Sequence, residues 1–299
     1  MNATIPGVSI VICTRDRPAL LESALDAIRS CLRPEDEAVV VDSASRDPAV
    51  RRIVEDAGIR YLRCARPGAA RARNLGFAAT TRPLIACTDD DCLPQPPWTE
   101  VIERAFALDP GAGFLTGRVV PDRQRRMTLS TITSEDPRRF SIDDDLDEMG
   151  SGANMAFRRE AFESVKGFDE ALGPGGRLGV AEDRDLFWRL LHAGWTGCYE
   201  PASVVTHKQW RNERTSIYRK YAYGRGRGAF VSKVRRLDPQ RGRMMLREDL
   251  WDRGVRSAWR NLRTGYETGA LGDLVRTAGI AIGAAQARLI RIDNGHFRS

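Results

Sequence analysis

The sequence predicts an α/β fold with a Rossmann-like, mostly parallel central sheet flanked by helices, followed by a helical C-terminal extension. Three observations support this prediction. Short apolar runs rich in β-branched residues recur in the first half of the chain, each precedes a stretch with apolar residues at helical spacing, and the connections are short. Because neighbouring parallel strands need a crossover between them, this alternation indicates a parallel sheet wound with helices.

The predicted strands are the apolar runs that stop at polar residues. In chain order they cover residues 8–13, 38–42, 59–62, 84–88 and 113–120. The predicted helices follow them and bury one apolar side, as the spacing of Leu21, Leu25 and Ile28 shows for the first. They begin near residue 20, at 47–48, at 67–68, at 98, near 159 and just after 183.

The fourth strand ends in three consecutive carboxylates, Asp89, Asp90 and Asp91. Open α/β sheets bind ligands at the carboxyl ends of their strands, so the triplet is expected at a ligand-binding edge. Three adjacent acids repel one another and need a cation, basic partners or water. Clustered carboxylate oxygens suit Mg²⁺ or Mn²⁺ shared with a diphosphate, although a solvated acidic turn explains the triplet alone equally well.

Two more polar side chains are expected near a bound nucleotide. Asp42 ends the second strand, where a carboxylate can bind a ribose or base edge, and Arg73 lies early in a helix, where it can face a phosphate. An acid after a strand also commonly caps the next helix. Neither the GxGxxG motif nor a P-loop motif occurs in the sequence, so a nucleotide would be held differently.

Residues 121–148 are polar and end in an acidic run, which predicts either a lid or a disordered segment. Residues 150–157 are mostly small and permit close approach of the backbone to a ligand. Glu182 and Asp183 follow a glycine-rich loop and begin a helix, whose dipole favours carboxylates at that end. Capping of the helix explains both acids without a catalytic role.

Charge is distributed unevenly along the chain. Residues 208–299 contain 21 Lys or Arg and 8 Asp or Glu, a balance of +13, whereas residues 1–207 contain 26 against 32, a balance of −6. The sequence therefore divides into a domain at 1–207 and a basic, mainly helical extension at 208–299. Such an extension can meet anionic lipid, nucleic acid or an anionic substrate, and a solvated helical face is the commonest outcome.

Several features bear on the cellular compartment. The six cysteines show no paired CxxC spacing, which favours free buried thiols in a reducing cytosol. No secretory signal is predicted at residues 1–7, and no apolar stretch is long enough to cross a bilayer. We expect a cytoplasmic protein, and peripheral contact with the inner face of the membrane is a further possibility that the sequence allows. Arg276, Arg288 and Arg291 around the apolar stretch 278–285 fit such an interface, although core packing explains them slightly better.

Taken together and in this order, these motifs resemble family 2 glycosyltransferases of the GT-A fold. The resemblance covers about residues 8–207. The matching segments are 14–17, 41–45, 72–76, the acidic triplet as the DxD motif, 151–155, 181–183 as the xED motif, and His207. The resemblance implies transfer of a sugar from a nucleoside-diphosphate donor to an acceptor hydroxyl of a glycan, a lipid-linked compound or a small molecule, with inversion at the anomeric carbon.

The resemblance also implies roles for individual residues. Asp91 and His207 would hold Mg²⁺ or Mn²⁺, which stabilises the diphosphate leaving group as a Lewis acid. Asp89 would reach the donor ribose or the metal, and Asp90 is a candidate for either role because three acids align ambiguously with a two-acid motif. The donor nucleoside would be held by Asp42. The other residues expected on the donor are Thr14, Arg15, Arg17, Ser43, Arg73 and Asn74.

Direct displacement needs one general base, and the xED motif implies Asp183, with Glu182 as its nearest rival. Two other classes of protein remain as alternatives. A glycoside hydrolase also uses paired carboxylates, but it would not need the nucleoside-binding residues. A basic binding module is suggested by the arginine, glycine and tyrosine residues at 221–228, but no nucleic-acid-binding fold accompanies them, so nucleic acid is not the expected partner.

Overall fold

The structure is a computed structural model that describes residues 7–123, 131–210 and 213–298. Contacts divide the described chain into two compact units. The first contains the residues up to Phe168 and Leu186–Gln209, and the second contains Asp169–Asp185 and the residues from Trp210 onwards. The predicted domain boundary between residues 207 and 208 stays a prediction.

A nine-stranded sheet forms the core of the first unit. Its strands are β1 (Val8–Thr14), β2 (Glu37–Ser43), β3 (Arg60–Cys64), β4 (Leu84–Asp89), β5 (Cys92–Pro94), β6 (Ala112–Pro121), β7 (Arg138–Phe140), β8 (Met155–Arg158) and β9 (Thr196–His207). Hydrogen bonds order them β3-β2-β1-β4-β8-β6-β9-β5, and β7 pairs with β9.

Strands β1, β2, β3 and β4 are all parallel to one another, and β6 pairs in parallel with β9. Strand β8 lies between β4 and β6 and is antiparallel to both. Strands β5 and β7 run antiparallel to β9. Six of the nine strands therefore run in one direction, which confirms the mostly parallel sheet.

Five helices connect the strands of the first unit and each buries an apolar side. They are α1 (Pro18–Cys31), α2 (Ala49–Asp56), α3 (Ala69–Ala78), α4 (Trp98–Leu108) and α5 (Arg159–Ser164). Leu21, Leu25 and Ile28 of α1 are at most 1% exposed, as their spacing predicts. Helix α3 lies so close to the sheet that a Cβ built on Gly76 would be 2.4 Å from a methyl carbon of Val11. The predicted α/β fold class is confirmed.

Helix α6 (Glu182–His192) begins in the second unit and continues into the first. Its residues Leu186, Phe187 and Leu190 are fully buried, in agreement with the predicted apolar side. All six cysteines are free thiols and five of them are buried, also as predicted.

Four strands of the sheet were not predicted, namely the short strands β5, β7 and β8 and the longer strand β9. Residues 124–130 of the predicted lid lie outside the described residues. The described remainder of that segment contains β7 and a 3₁₀ turn at Leu146–Glu148. A lid role for residues 121–148 stays a prediction.

The second unit is mainly helical, as predicted for the extension. It contains α7 (Glu213–Leu237), α8 (Pro239–Arg247), a π-helix (Glu248–Arg256), α9 (Ser257–Arg263) and α10 (Glu267–Arg288), followed by a hairpin of β10 (Ile292–Asp293) and β11 (His296–Phe297). None of the helices in the described part of the chain is long and apolar enough to cross a membrane.

Helices α7 and α10 cross at glycine contacts. A Cβ on Gly224 would lie 2.1 Å from the carbonyl oxygen of Arg276, and one on Gly228 would lie 2.0 Å from that of Ile280. Ile280 and Gly283 are buried at the same crossing. The glycines at 221–228 thus have a packing role, and core packing explains the buried side of the stretch 278–285, whereas Ile282 on its other side is 41% exposed.

Candidate active site

The carboxyl ends of several strands bring the predicted polar residues to one edge of the sheet. Thr14 lies opposite Asp42 in the register of β1 and β2, and Asp89 ends β4 beside β1. Strand β9 ends at His207, opposite Cys92 of β5. The sheet topology therefore gathers residues that are far apart in the sequence.

Asp90 is fully buried in the turn after β4. The Thr14 hydroxyl donates to its Oδ2 at 2.7 Å, and the Arg17 guanidinium lies 2.7 Å from its Oδ1. Burial raises the pKa of Asp90 to about 7, because desolvation penalises the charged form by more than Arg17 favours it. A solvated acidic turn is therefore wrong for this residue, and its contact with a donor or a metal stays a prediction.

Asp91 is also buried and has a different partner on each oxygen. Its Oδ2 is 3.1 Å from Nη1 of Arg17, and its Oδ1 is 3.6 Å from Nε2 of His207. Adjacent ligands of an octahedral cation with bonds of about 2.1 Å are about 3.0 Å apart, so a small movement brings both atoms onto one ion. The pair fits a divalent cation.

Cys92 is a neighbour that the sequence reasoning missed. In the described ranges, Asp91, Cys92 and His207 form a group whose potential ligand atoms all lie within 4.8 Å of one another. Burial raises the pKa of the Cys92 thiol far above its ordinary value. Because Mg²⁺ and Mn²⁺ prefer oxygen ligands, Cys92 lines the site and does not complete its ligand set.

Gln209 is a second missed residue. It is buried, and its amide nitrogen Nε2 is placed 2.8 Å from Nδ1 of His207. Its backbone N–H donates to the Asp122 carboxylate at 2.9 Å. Amide oxygen and nitrogen are assigned by hydrogen bonding, and with its oxygen turned to Nδ1 the amide would accept the ring proton and leave Nε2 to bind a cation. Gln209 can therefore set the tautomer of His207.

The two arginines predicted at the donor site differ in their surroundings. Arg17 bridges Asp90 and Asp91, and its side chain is 27% exposed. Partial burial lowers its pKa, but the two acids outweigh this effect and raise it. Arg15 is exposed, with Nε at 3.7 Å from the Asp16 carboxylate. Arg17 therefore contacts the acidic triplet, whereas the described ion pair of Arg15 is with Asp16.

At the end of β2, Asp42 is almost fully buried and accepts three hydrogen bonds. They come from the Ser45 backbone N–H, the Tyr61 hydroxyl and the Arg63 guanidinium, each at 2.7 Å. The neighbouring Ser43 hydroxyl accepts from the Gly68 backbone N–H, in the loop between β3 and α3, at 2.9 Å. The sequence reasoning missed Tyr61 and Arg63, although alternate positions of one strand face the same side of a sheet.

Two predicted residues of α3 have partners within the first unit. Arg73 is buried, with Nη2 at 2.8 Å from Oδ1 of Asp89 and the guanidinium over the Phe168 ring at 5.6 Å. The Asn74 amide donates to the Phe168 carbonyl at 3.0 Å and accepts from its N–H at 2.9 Å. A Cβ on Gly152 would lie 3.3 Å from Nη2 of Arg73, so this loop closes on the arginine. Contacts of Arg73, Asn74 and the loop with a donor stay predictions.

The predicted base lies in the second unit, at the start of α6. Asp183 is 9% exposed and accepts from the Arg184 backbone N–H at 2.8 Å. Glu182 is 4% exposed, and a Cβ on Gly173 would be 3.1 Å from its carboxyl carbon. Both carboxylates therefore have surroundings that restrict them, and both lie where the helix dipole favours negative charge.

Comparison with known proteins identifies similar sequences. Residues 9–166 match the family described as Glycosyl transferase family 2. The chain is 32% identical over 174 residues to a pre-mycofactocin glycosyltransferase of Mycobacterium tuberculosis. The aligned region covers 52% of this chain and 33% of the relative, so the chain spans about a third of that protein. It is 26% identical over 227 residues to a glucosyl-dolichyl phosphate glucuronosyltransferase of Haloferax volcanii, covering 69% and 71% of the two chains.

Solved structures show the same architecture. A mannosyltransferase from Pyrobaculum calidifontis in complex with GDP-Man and Mn²⁺ superposes with a TM-score of 0.58 at 19% identity, covering 94% of this chain and 88% of that one. Residues 1–349 of S. aureus TarS superpose with a TM-score of 0.56 at 13% identity, covering 89% of each chain. At these identities the likeness shows the shared GT-A fold alone.

Proposed function

The chain belongs to glycosyl transferase family 2, and we propose that it transfers a sugar from a nucleoside-diphosphate sugar to an acceptor hydroxyl with inversion at the anomeric carbon. The observation that carries the proposal is the pairing of Asp91 with His207 beside buried acids at the carboxyl edge of the sheet. Such an edge binds ligands in α/β folds, and a carboxylate with an imidazole suits a divalent cation.

In this proposal, Asp91 and His207 hold Mg²⁺ or Mn²⁺ together with the donor diphosphate, and Asp89 is a further candidate ligand. The cation supplies Lewis-acid stabilisation of the diphosphate leaving group. Arg17 offsets negative charge on Asp90 and Asp91, which reduces their repulsion of an incoming diphosphate. The Mn²⁺ and GDP-Man bound to the Pyrobaculum mannosyltransferase support these two classes of ligand.

The nucleoside is proposed to bind at the end of β2. Asp42 is held by Ser45, Tyr61 and Arg63, which together use three of the roughly four lone-pair sites of a carboxylate. The remaining site can accept a hydrogen bond from a ribose hydroxyl or a base N–H. A carboxylate already fixed by three partners loses little conformational freedom on binding, which favours affinity.

Asp183 is proposed as the general base. Its carboxylate would take the proton of the acceptor hydroxyl while the hydroxyl oxygen forms a bond to the anomeric carbon and the bond from that carbon to the diphosphate breaks. The diphosphate leaves with the bonding electron pair, and attack from the opposite side inverts the configuration. Glu182 is the competing candidate for this role.

Isothermal calorimetry with UDP, GDP and dTDP, each with and without Mn²⁺, tests the proposal. We expect one of the three to bind in a Mn²⁺-dependent manner. Asp91→Asn, which keeps the shape of the side chain, should abolish that dependence, whereas Asp136→Asn at an exposed position should not. Undiminished Mn²⁺-dependent binding by Asp91→Asn would reject the metal assignment, and absence of binding by all three nucleotides would reject the donor class.

A further inference from the structure

The second unit exposes an unusual amount of apolar surface. Of the fourteen large hydrophobic side chains that are exposed in the described chain, twelve belong to this unit. Four of them follow one another on the continuous helical segment from α8 to α9: Trp251, Val255, Trp259 and Leu262, which are 55%, 45%, 59% and 55% exposed. We refer to these four residues as the tryptophan face.

The spacing of the tryptophan face places its members along one side of the segment, because positions three and four apart are neighbours on a helix. Another side of the same segment packs into the unit through Asp249, Gly254 and Ala258, which are buried. The side of the segment that is turned away from the unit therefore also carries large apolar residues, where polar residues would be expected. Two exposed tryptophans on one helical side require a functional explanation.

Positive charge surrounds this face. Residues 239–263 contain seven arginines and three acids, a balance of +4. All three acids have cationic partners: Glu248 pairs with Arg253 at 2.8 Å, Asp252 pairs with Arg256 at 2.8 Å, and the third is buried against two arginines of other helices.

Three of these seven arginines lie on the surface around the face. Arg247 and Arg260 are exposed, and Arg263 stacks over the Trp259 ring at 4.3 Å. An anionic partner would gain contact with both the apolar side chains and the arginines.

We propose that the tryptophan face binds the surface of a bilayer that contains anionic lipids, with the α8–α9 segment lying in the plane of the interface. Tryptophan rings favour the boundary between headgroups and acyl chains, and arginines beside them attract anionic headgroups while their stems cover apolar surface. Helices with tryptophan and leucine on one side and arginine around it bind membranes in this orientation. The inference is independent of the proposed catalytic function.

A second copy of the chain fits this surface less well. In a two-fold symmetric dimer the same patch meets itself, so the arginines around the face would be brought towards the arginines of the second copy. Interface cores are depleted of charge, and like charges brought together without acids would oppose association. For the stretch 278–285 the sequence slightly favours core packing over an interface, and one side of it packs against α7. Leu271, Leu274 and Ile282 of α10 are 41–51% exposed, but α10 carries no tryptophan, so the α8–α9 segment fits a membrane interface better.

Co-sedimentation with vesicles tests the proposal. We expect the protein to bind vesicles of phosphatidylcholine mixed with phosphatidylglycerol, and to bind pure phosphatidylcholine much more weakly at a salt concentration of about 0.15 M. The double variant Trp251→Ser with Trp259→Ser should lose about tenfold or more in its partition coefficient. Leu108→Ser, which removes an exposed apolar side chain of the first unit, is the matched control and should bind normally.

A second measurement needs no substitution and so does not depend on the folding of a variant. Phospholipids brominated on the acyl chains should quench tryptophan fluorescence of the unmodified protein when mixed into the anionic vesicles. Absence of both sedimentation and quenching would overturn the proposal, as would normal binding by the double tryptophan variant. Loss of a dimer by that variant in analytical ultracentrifugation, with no vesicle binding by the unmodified protein, would instead assign the face to self-association.

Discussion

Lys233 and Asp185 form an ion pair at 2.6 Å in which neither side chain is exposed to solvent. The same ammonium group donates to Asp169 at 2.6 Å and to the Gly295 carbonyl oxygen at 2.7 Å. Asp169 also accepts from the Phe297 backbone N–H at 2.8 Å. One lysine of α7 therefore joins the first turn of α6, the segment before the glycine-rich loop and the C-terminal hairpin within the second unit.

Replacing this lysine should be strongly destabilising. Lys233→Met leaves two buried carboxylates without their cation, so we expect the free energy of unfolding to fall by about 3–5 kcal/mol. Lys220→Met, which removes a partly exposed ion pair with Asp273 at 3.6 Å, should cost less than about 1 kcal/mol. Chemical denaturation of both variants measures the difference, and similar losses would show that the buried cluster contributes no more than a surface pair.

The sequence predicted the strands that carry the donor edge because β1, β2 and β4 are apolar runs of six or seven residues with polar ends. It could not predict β5, β7 and β8, which have three or four residues and obtain their hydrogen bonds from partners distant in the chain. It also did not predict β9, whose run is interrupted by Glu200 and Pro201. Because β5 places the residues after the acidic triplet beside the end of β9, the contact between Asp91 and His207 could be expected from resemblance alone.

Partners of the predicted residues were harder to foresee than the residues themselves. An Asp-Ser-Ala-Ser sequence is typical of a turn in which the Asp side chain accepts a backbone N–H, and the bond from Ser45 to Asp42 follows that pattern. The Lys233 cluster has no local signal, since Lys233 is at least 48 residues from each of its partners and meets them only through packing. Hydrogen bonds between residues close in the sequence were therefore predictable, whereas those between residues distant in the chain were not.

The amide of Gln209 should control metal affinity through His207. Gln209→Leu removes the group that can accept the Nδ1 proton, so we expect Mn²⁺ affinity to fall by about 10- to 100-fold while the protein stays folded. Gln209→Glu retains an acceptor and should keep most of the affinity. Calorimetric titration of Mn²⁺ in the presence of the bound nucleoside diphosphate measures both variants. Equal affinities in the leucine and glutamate variants would show that Gln209 does not orient the ring.

Asp36 should contribute to stability at neutral pH and lose that contribution in acid. Burial raises its pKa, but hydrogen bonds from the Arg33 side chain and from the backbone N–H groups of Val8 and Arg33 outweigh burial, and the pKa lies below its ordinary value of 3.8. A lowered folded pKa stabilises the fold above the unfolded pKa, and the stabilisation disappears as pH falls through the folded pKa. The difference in unfolding free energy between the unmodified protein and Asp36→Asn should therefore shrink below pH 3.8. Urea unfolding across this range checks it, and a constant difference would contradict the linkage.

Asp183→Asn should remove transfer and leave binding intact. The amide keeps the size of the side chain and an oxygen that can accept from the Arg184 N–H, so the start of α6 should be preserved. An amide cannot take the proton of the acceptor hydroxyl, and loss of a general base lowers turnover by about a hundredfold to ten-thousandfold. Turnover with the donor identified by calorimetry, measured beside the affinity for that donor and Mn²⁺, separates these effects. Near-normal transfer by Asp183→Asn with loss in Glu182→Gln would move the base to Glu182, and near-normal transfer by both would reject the xED assignment while leaving donor binding standing.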